Sequence, residues 1–585
     1  MSISTESTVG AEIDPVRLEV LRHGCIAAAD EMKLNLRRTA HNPIIYEVLD
    51  FSVGVFDRYG RMIAQADGLP IFLGSLGVAV ECVIADVGVE HFRPGDLYLF
   101  NDPYAQGNHI NDVTTVMPTF DAAGELAAFA VTRAHWLDIG GKDPGGAIDS
   151  TDVVQEGLWL RSVRLYEEGV LNDSVWRIIE YNIRYRENML GDLRAQVAAS
   201  RTGAARMRSL LDRYGREQFD IAVKTILEQG AQRSRAAVAA LPDGVYEAEA
   251  QLDDDCLGHG PLDVRAVVRI AGDELIVDLT GSAPQNIGPV NCGLPATMSA
   301  CRIALKAFTT PDLPANEGDF APLRMIVPEG SMFHARYPAP TFMYGTHLIL
   351  LVDVIVRALS AAAPNRALAG HYGNLSGFQL TGVDPRSGRP YIQQEPEVGG
   401  WGAHAGGDGE SAMIFVCDGD TRNVPVETME SRFPLRMERH ALRPDSGGPG
   451  QHRGGLGILR EYRIVDHEAQ LMAIMDRAVC PPWGLAGGGA AQHCRVVVQK
   501  VGGTPDVQQK VIRYPLAEGT VVSVQTGGGG GWGQAFERDV EAVRRDVIAG
   551  YVTADAAQSA YGVALDPKTL EVDERKTIQL RHQAG

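Results

Sequence analysis

The chain has few of the features that mark secreted or membrane-spanning proteins. Its eight cysteines include no Cys-x-x-Cys pair, which argues against a zinc ribbon or a disulfide framework and favours free thiols. The N-terminal stretch MSISTESTVGAEIDP has neither a basic nor an apolar segment, so it does not predict a signal peptide. The apolar run at residues 348–363 is interrupted by Asp353 and Arg357 and is too short to span a bilayer, which predicts a buried helix. We therefore expect a cytoplasmic protein without membrane contact.

Basic residues and familiar catalytic motifs are also scarce. The 54 lysines and arginines are outnumbered by 74 acidic residues, and the resulting net charge of −20 argues against nucleic acid as a partner. The chain contains no GxSxG, no HExxH and no protein-kinase signature, and it has no P-loop. Motifs of the common hydrolases and nucleotide-binding proteins therefore do not identify its chemistry.

The residues that are present predict a multidomain α+β protein. A hydrophobic content of 45% and 585 residues suffice for about three or four domains. Asp14 and Pro15 suit the start of a helix of about seven turns. Its apolar positions recur at steps of three and four: Leu18, Leu21, Cys25, Ala28, Met32 and Leu36. Asp50 then precedes an alternating strand over residues 51–55, which turns and returns over residues 62–66.

Composition divides the chain into three segments. A helical pattern over residues 173–240 ends at Pro242-Asp-Gly, which predicts a boundary between a 1–241 α+β domain and a 242–374 α/β domain. Strand-rich and then helical patterns fill that second domain. From about residue 375 the sequence becomes glycine-rich and β-dominated, with a helical tail, which predicts a third domain over 375–585. The whole is expected to combine mixed sheets with helical segments.

Two histidines and an aspartate are predicted to meet at the open end of a hairpin. Residues 114–135 predict two strands around a central Asp-Ala-Ala-Gly turn. Symmetric pairing about that turn makes partner numbers sum to about 245, which sets His135 opposite Ile110 and beside His109 and Asp112. Two imidazoles and a carboxylate suit a divalent metal. The alternative is that these residues only cap loops and turns.

Further polar positions are open to two interpretations. Asp102 and Asp138 lie beside the proposed ligands, where each could act as a general base or orient an imidazole, or could simply cap a turn. The glycine-rich loop at 526–533 follows a strand and precedes a helical pattern, so it could bind an anion, or it could form a tight structural turn or a subunit contact. The loop with His404, Asp408 and Glu410 could line a cleft or lie on the surface.

Several motifs spread over nearly the whole chain resemble one family. They are RTAHNPIIYEVLDFSVGVFD (38–57), PIFLGSLG (70–77), GDLYLFNDPYAQGNHINDV (95–113), HWLDIGGKDPGG (135–146), EGLWL (156–160), PDSGGPGQHRGGLG (444–457) and TGGGGGWG (526–533). In these motifs the chain is similar to the hydantoinase B/5-oxoprolinase family, which also includes the metal-bearing subunits of caprolactamase and of acetone and acetophenone carboxylases. The motifs are specific for the family and discriminate poorly between its members.

The resemblance implies a metal site and a partner. It places the ligands on Asp50, His109, Asp112 and His135, which hold zinc or manganese in the family. It also implies a hetero-oligomer with an A-type subunit of the actin-like ATPase fold, which binds ATP and phosphorylates the substrate. No ATPase half is found in this sequence, so we expect the chain to need that subunit for activity.

The resemblance leaves the reaction open between two branches. In the favoured one, the chain hydrolyses a phosphorylated cyclic amide such as a lactam, hydantoin or oxoproline. In the alternative, it belongs to a biotin-independent, ATP-dependent ketone carboxylase, although acetone carboxylase large subunits are longer. A third hypothesis, a scaffold without catalysis, does not explain why all four ligand positions are filled.

Overall fold

Local sequence signals form the first elements as predicted. The Asp14 side chain caps helix α1 (Pro15–Thr39) by accepting a hydrogen bond from the Arg17 N–H at 3.0 Å. The predicted apolar face of α1 is buried. Strands β1 (Phe51–Asp57) and β2 (Met62–Gln65) pair antiparallel across the predicted turn.

The computed structural model of the protein describes residues 13–583. The remaining helices in that range are α2 (Pro43–Tyr46), α3 (Pro70–Val87), α4 (Pro103–Gln106), α5 (Asp173–Asn182), α6 (Arg186–Tyr214), α7 (Arg216–Ala239), α8 (Leu294–Thr309), α9 (Tyr344–Leu359), α10 (Val426–Arg432), α11 (Val540–Ile548), α12 (Ala554–Tyr561) and α13 (Glu574–Gln583). The remaining strands are β3 (Leu97–Phe100), β4 (Asp112–Phe120), β5 (Leu126–His135), β6 (Val163–Glu167), β7 (Val170–Leu171), β8 (Gly244–Leu252), β9 (Leu262–Ala271), β10 (Glu274–Asp278), β11 (Leu323–Ile326), β12 (Gly377–Val383), β13 (Pro390–Pro396), β14 (Leu435–Leu442), β15 (Ile458–Ile464), β16 (Ala469–Ile474), β17 (Arg495–Gln499), β18 (Asp506–Gln508), β19 (Lys510–Leu516) and β20 (Val521–Gln525).

The largest sheet is antiparallel and is covered by helices on both faces. Its strand order is β2-β1-β5-β4-β3-β6-β7. Val53 and Val55 pack in one apolar cluster with residues of α1 and α6, whereas Phe56 packs in another with residues of α3. Because successive side chains of a strand point to opposite faces, the helices lie on both sides of the sheet. Strands β1 and β5 are accordingly buried along their whole length.

The other three sheets are smaller and lie later in the chain. One has the order β11-β10-β9-β8, with β10 and β11 parallel, and α9 packs against its strands β8 and β9. The C-terminal region contributes the sheets β13-β12-β16-β19 and β14-β15-β20-β17-β18. None of the four sheets closes into a barrel in the part of the chain that the structure describes. The predicted α+β class, with mixed sheets and a glycine-rich, β-dominated C-terminal region, is confirmed.

The predicted three-domain division stays a prediction. Each sheet is built from strands of only one of the segments 1–241, 242–374 and 375–585. The apolar cores do not follow these boundaries, because one core joins residues of the first and third segments and another draws on all three.

Among the described helices, α3 alone is long and apolar enough to cross a membrane by length and composition. Here it is a core helix, since ten of its 18 residues are buried and Gly74 lies so close to Ser299 of α8 that a Cβ atom would overlap that side chain. The apolar run at 348–363 contributes mainly to α9, which is buried as predicted. Both apolar segments therefore serve the interior of the protein.

The glycine-rich loop at 526–533 is a packing element. Gly527–Gly531 are buried, and a Cβ atom on Gly529 would overlap the backbone carbonyl of Trp401. A Cβ atom on Gly454 would in turn overlap the carbonyl of Gly529. The next α-helix, α11, begins only at Val540, so the loop does not form the helix N-terminus that an anion site would use. This geometry matches a tight structural turn rather than an anion site, and a subunit contact stays a prediction.

Candidate metal centre

The β4–β5 hairpin brings the predicted ligands together in a register shifted from the predicted one. Asp112, rather than Ile110, lies directly opposite His135, so partner numbers sum to 247 along most of the hairpin. Two one-residue shifts add up: Glu125 lies in the turn, so Phe120 pairs with Leu126, and a β-bulge between Thr119 and Phe120 then pairs Thr119 with Ala128. The two-residue correction places the carboxylate and the imidazole on adjacent strands, at the same end of the hairpin.

The loop before β4 is shaped by side-chain anchors so that His109 points inward. Asn101 donates to the Ile110 carbonyl at 2.7 Å and accepts from the Leu160 N–H at 2.6 Å. Gly107 has φ +93° and lies so close to Ala296 that a Cβ atom would overlap its backbone nitrogen. The loop is therefore fixed at both ends, and His109 and Asp112 project to one side.

The donor atoms of His109, Asp112 and His135 converge. Asp112 Oδ1 lies 2.9 Å from His109 Nε2 and 3.2 Å from His135 Nδ1, and the two ring nitrogens are 3.1 Å apart. Asp112 Oδ2 and His135 Nε2 are buried without a hydrogen-bond partner among the residues described. Converging nitrogen and carboxylate donors with unpartnered atoms fit a divalent cation, and both zinc and manganese accept such ligands.

Asp50 belongs to the same neighbourhood but not to the tight cluster. Its carbonyl accepts the His135 N–H at 3.1 Å, and its Oδ1 is buried without a partner in the described chain. The cluster whose donor atoms lie within 4.8 Å of one another contains only His109, Asp112 and His135. Asp50, the residue just before β1, remains a proposed fourth ligand of the cation.

A hydrogen-bond relay behind His109 fixes its orientation. His109 Nδ1 is 2.9 Å from the Phe342 carbonyl, so the proton on Nδ1 is donated there and Nε2 is left for a metal. The buried Glu156 carboxylate in turn accepts from the Phe342 N–H and the Thr341 N–H, each at 2.8 Å. Ser150 donates a further bond to Glu156 at 2.8 Å. Phe342 and Glu156 are remote in sequence; Glu156 begins the EGLWL motif, but that motif did not indicate its contact with the site, and no pattern indicated Phe342.

Charge in the centre is unevenly distributed. Burial opposes ionisation of Asp112, but the charges and hydrogen bonds of His109 and His135 hold the pKa of this carboxyl well below its usual range. Burial raises the pKa of Asp50 to about 6, with His135 opposing and Asp112 adding to the rise. Burial also lowers the pKa of the Arg133 guanidinium to about 10, and all of the hydrogen-bond acceptors of Arg133 are uncharged. The buried carboxyl groups of Asp50 and Asp112 thus depend on the two imidazoles for their stabilisation.

The four predicted ligands line a small internal cavity with a third aspartate. The space open to the centre of a water molecule is about 80 Å³. Most of the wall is apolar, from α3, the 342–349 segment and strands β12 and β16. Asp418 also lines the cavity, and burial raises its pKa well above the usual range, reinforced by Asp50 and Asp112. The sequence around Asp418 contains no motif that could have indicated this position.

Asp102 and Asp138 lie outside the cavity lining. Asp102 caps α4 through the N–H groups of Tyr104 and Ala105, and it pairs with Arg161 at 2.8 Å. Asp138 pairs with Arg184 at 2.6 Å. Both carboxylates are thus held by structural partners, and their predicted role in catalysis stays a prediction.

The loop with His404, Asp408 and Glu410 also lies away from the cavity. Asp408 pairs with Arg538 at 2.6 and 2.7 Å and accepts from the Arg453 N–H. Asp408 therefore ties this loop to the C-terminal region, whereas Glu410 is exposed and His404 accepts a hydrogen bond from Gly406 within the loop itself.

The fold and the site define a class of protein: a mixed α/β protein that carries a His–His–Asp cluster on a buried cavity. Residues 14–535 match the family described as hydantoinase B/oxoprolinase. The chain is 30% identical to a protein described as the B-type component of a D-/L-hydantoinase from Pseudomonas sp. (strain NS671), over 97% of this chain and 98% of the other. It is 32% identical to the beta chain of the caprolactamase of Pseudomonas jessenii, with coverages of 97% and 98%.

Solved structures agree with the sequence relatives. The crystal structure of the ATP-dependent caprolactamase from Pseudomonas jessenii superposes with a TM-score of 0.92 at 30% identity, covering 97% of this chain and 100% of the other. Acetone carboxylase shares the fold, with a TM-score of 0.89 at 19% identity over 98% and 83% of the two chains. The chain therefore belongs to the hydantoinase B/oxoprolinase family, as the sequence motifs predicted.

Proposed function

We propose that this chain is the metal-binding B-type subunit of an ATP-dependent cyclic amide hydrolase, and that the enzyme acts in the cytoplasm. In this proposal an A-type ATPase subunit phosphorylates the substrate, and ring opening takes place in the cavity at His109, Asp112 and His135. The observation that carries the proposal is the convergence of these donors, with unpartnered polar atoms, on an internal cavity. Two relatives are named as components of a caprolactamase and a hydantoinase, and these names support both the cyclic amide and the partner subunit.

Different residues of this chain have different roles in the proposed reaction. A bound divalent metal would polarise a substrate oxygen and lower the pKa of a ligated water. His109, Asp112, His135 and Asp50 would hold that metal, while the Phe342 carbonyl keeps Nε2 of His109 turned toward it. The Tyr344 oxygen accepts a hydrogen bond from Asn108 at 3.0 Å, which leaves its own proton for a substrate oxygen at the cavity wall. The apolar walls limit competing water.

The experiment combines metal analysis with a reconstituted enzyme. The gene for the A-type subunit is sought next to the gene for this chain, and the two proteins are co-purified. We expect about one divalent metal per B-type chain, ATP-dependent ring opening of a lactam or hydantoin, and no ATPase activity in the isolated chain. His109→Ala and Asp112→Ala should lose metal, whereas the loop variant His404→Ala should keep it. Full metal content in both cluster variants would refute the site.

The same assay decides between hydrolysis and carboxylation. The likeness to acetone carboxylase concerns the fold alone at 19% identity, so it favours neither reaction. Acetone or acetophenone with bicarbonate is therefore included beside the cyclic amides. Carboxylation of a ketone without ring opening of any amide would replace the proposed function by the alternative.

A further inference from the structure

Helix α9 begins at the wall of the cavity that contains the metal centre. Residues 342–345 at its N-terminal end line the cavity, together with Ile349 one turn further on. The Phe342 ring stacks on His109 with centroids 5.2 Å apart, and the Tyr344 ring lies 5.0 Å from the same imidazole. The first N–H groups of a helix point out of its N-terminus, which carries a partial positive charge. The positive end of this 16-residue helix therefore lies beside the proposed metal ligands.

One N–H group at this helix end has no acceptor. The Gly345 N–H makes no hydrogen bond to any described residue, whereas the N–H groups of both its neighbours bond to preceding carbonyls. The Phe342 carbonyl, three residues before Gly345, is used by the His109 imidazole instead. A Cβ atom on Gly345 would meet nothing within 4 Å, so this glycine borders open space. A glycine N–H that faces open space at a helix N-terminus suits the close approach of an oxyanion.

The second donor without an acceptor is the hydroxyl of Tyr344, a cavity-lining side chain that is only 7% exposed. Its oxygen accepts a hydrogen bond from the Asn108 side-chain amide at 3.0 Å. The oxygen of that amide accepts from Arg133 at 2.9 Å and from Ser75 at 3.2 Å, so its nitrogen must face Tyr344 and donate. No described residue accepts the phenol proton. Burial holds the pKa of Tyr344 well above its usual range, so the proton is retained and available to a ligand.

The charges around the cavity allow an anion at this helix end. No lysine or arginine is found among the described residues that line the cavity, so an oxyanion there depends on the metal, the helix end and uncharged donors. The carboxylates of Asp50 and Asp112 would be balanced by a divalent metal, and Glu395 pairs with Arg460 at 3.1 Å. Burial raises the pKa of Asp418 well above its usual range, which favours its uncharged form.

We propose that the first turn of α9 binds the phosphoryl group of the activated substrate through the Gly345 N–H and the Tyr344 hydroxyl. This role rests on the proposed function and deepens it, because it gives the phosphorylated amide a binding site beside the metal. Neither group gives up its proton or forms a covalent bond in this role. Neither residue is a proposed metal ligand, so loss of phosphoryl binding can be measured separately from loss of the metal.

The first test measures the binding of inorganic phosphate to the metal-loaded full chain by calorimetry. Gly345→Ala places a methyl group in the open space at the helix end, and Tyr344→Phe removes the hydroxyl. Each should weaken phosphate binding at least about tenfold while the chain keeps about one metal. Unchanged phosphate affinity in one variant would remove that donor from the site. Unchanged affinity in both variants, or no phosphate binding by the wild-type chain, would overturn the phosphoryl site.

Stability measurements distinguish a blocked phosphoryl site from a damaged helix. Alanine is a better helix former than glycine and its Cβ atom would meet no other atom, so Gly345→Ala should melt at or above the wild-type temperature. Gly407→Ala adds a methyl group without a clash outside the cavity lining, and Tyr337→Phe removes an exposed hydroxyl outside it. Both controls should bind phosphate as the wild type does. A loss of phosphate binding in the controls as large as in Gly345→Ala and Tyr344→Phe would overturn the phosphoryl site.

The reconstituted two-subunit enzyme separates the phosphoryl site from the proposed function. In Gly345→Ala, kcat/KM for ring opening of a lactam or hydantoin should fall at least about tenfold. Ring opening by this variant at the wild-type rate would overturn the phosphoryl site and leave the hydrolase function intact. Phosphate binding that depends on Gly345, in an enzyme that opens no cyclic amide, would support the phosphoryl site and overturn the hydrolase function.

Discussion

Two loops of this protein look similar in sequence and act differently in the structure. Residues 101–112 and residues 526–533 are both short, polar or glycine-rich segments next to a strand, and both suggested binding. The first directs His109 and Asp112 into a cavity, whereas the second packs its backbone against other glycines. Glycines in a loop therefore indicate a close backbone approach, and a ligand site needs side chains with donor atoms in addition.

The largest effect is expected when a metal-binding side chain is removed from the β4–β5 hairpin, which follows the 101–112 loop. We expect His135→Ala to abolish ring opening in the reconstituted enzyme, by at least about three orders of magnitude, because a metal ligand is lost. Some ATP turnover by the partner should remain. The measurement is the ratio of phosphate released to ring-opened product. One-to-one coupling at the wild-type rate would show that the chemistry lies elsewhere and that the chain is a scaffold.

The opposite change, adding a side chain to the second loop, should affect the fold instead. In Gly529→Ala the new methyl group would overlap the Trp401 carbonyl, and neither backbone can move freely. We expect destabilisation of about 3 kcal/mol or more, seen as a lower melting temperature and yield.

A matched glycine in the same region tests that explanation. A Cβ atom on Gly407 would lie 3.8 Å from its nearest neighbour, so Gly407→Ala should change stability by less than about 1 kcal/mol. Equal stability of the two variants would contradict the packing role of the 526–533 loop.

The relay behind His109 predicts a smaller, specific effect. In Glu156→Ala the Thr341 and Phe342 N–H groups lose their acceptor, so the Phe342 carbonyl no longer holds His109 firmly. We expect metal affinity to fall roughly ten- to a hundredfold, measured by competition with a chelator. Ser150→Ala, which removes one donor to Glu156 and leaves the relay to His109 intact, should cost much less. Unchanged metal affinity in Glu156→Ala would show that Glu156 does not help to orient His109.

Sequence alone predicted the parts of the site that depend on local structure. Pairing within one hairpin brought His135 to Asp112 with an error of two residues, because neither the extra turn residue Glu125 nor the bulge at Thr119 is visible in the alternation pattern. Asp50 came from the family resemblance and not from spacing. Asp418 and Glu156 reach the site through contacts between segments hundreds of residues apart, which no local pattern encodes.

The fold shows the same limit. The helix from Pro15, the β1–β2 hairpin and the buried α9 follow from capping and periodicity. The role of the 526–533 loop depends on Trp401 and Gly454, which are remote in sequence. Local rules describe a glycine-rich loop before a helical pattern as a candidate anion site, and only the packing of distant glycines identifies it as a structural turn.

The smallest effect is expected for Asp102, the N-cap of α4 in the 101–112 loop. In Asp102→Asn the remaining oxygen can still cap α4, since the Tyr104 and Ala105 N–H groups both use Oδ1. Arg161 keeps its contacts with Asp86 at 3.0 and 3.1 Å, and because its own side chain is half exposed, solvent screens the loss of the charge on the buried Asp102. We therefore expect a stability change below about 1 kcal/mol and ring opening within about threefold of wild type.

The assay measures melting temperature, metal content and kcat/KM together, with Asp86→Asn as the control for loss of the arginine contact. A fall in kcat of more than about tenfold at normal metal content and stability would make Asp102 a catalytic acid or base after all. The 101–112 loop would then contribute a catalytic group, Asp102, in addition to the proposed metal ligands His109 and Asp112. The functional difference between this loop and the 526–533 loop would be larger than the residues lining the cavity indicate.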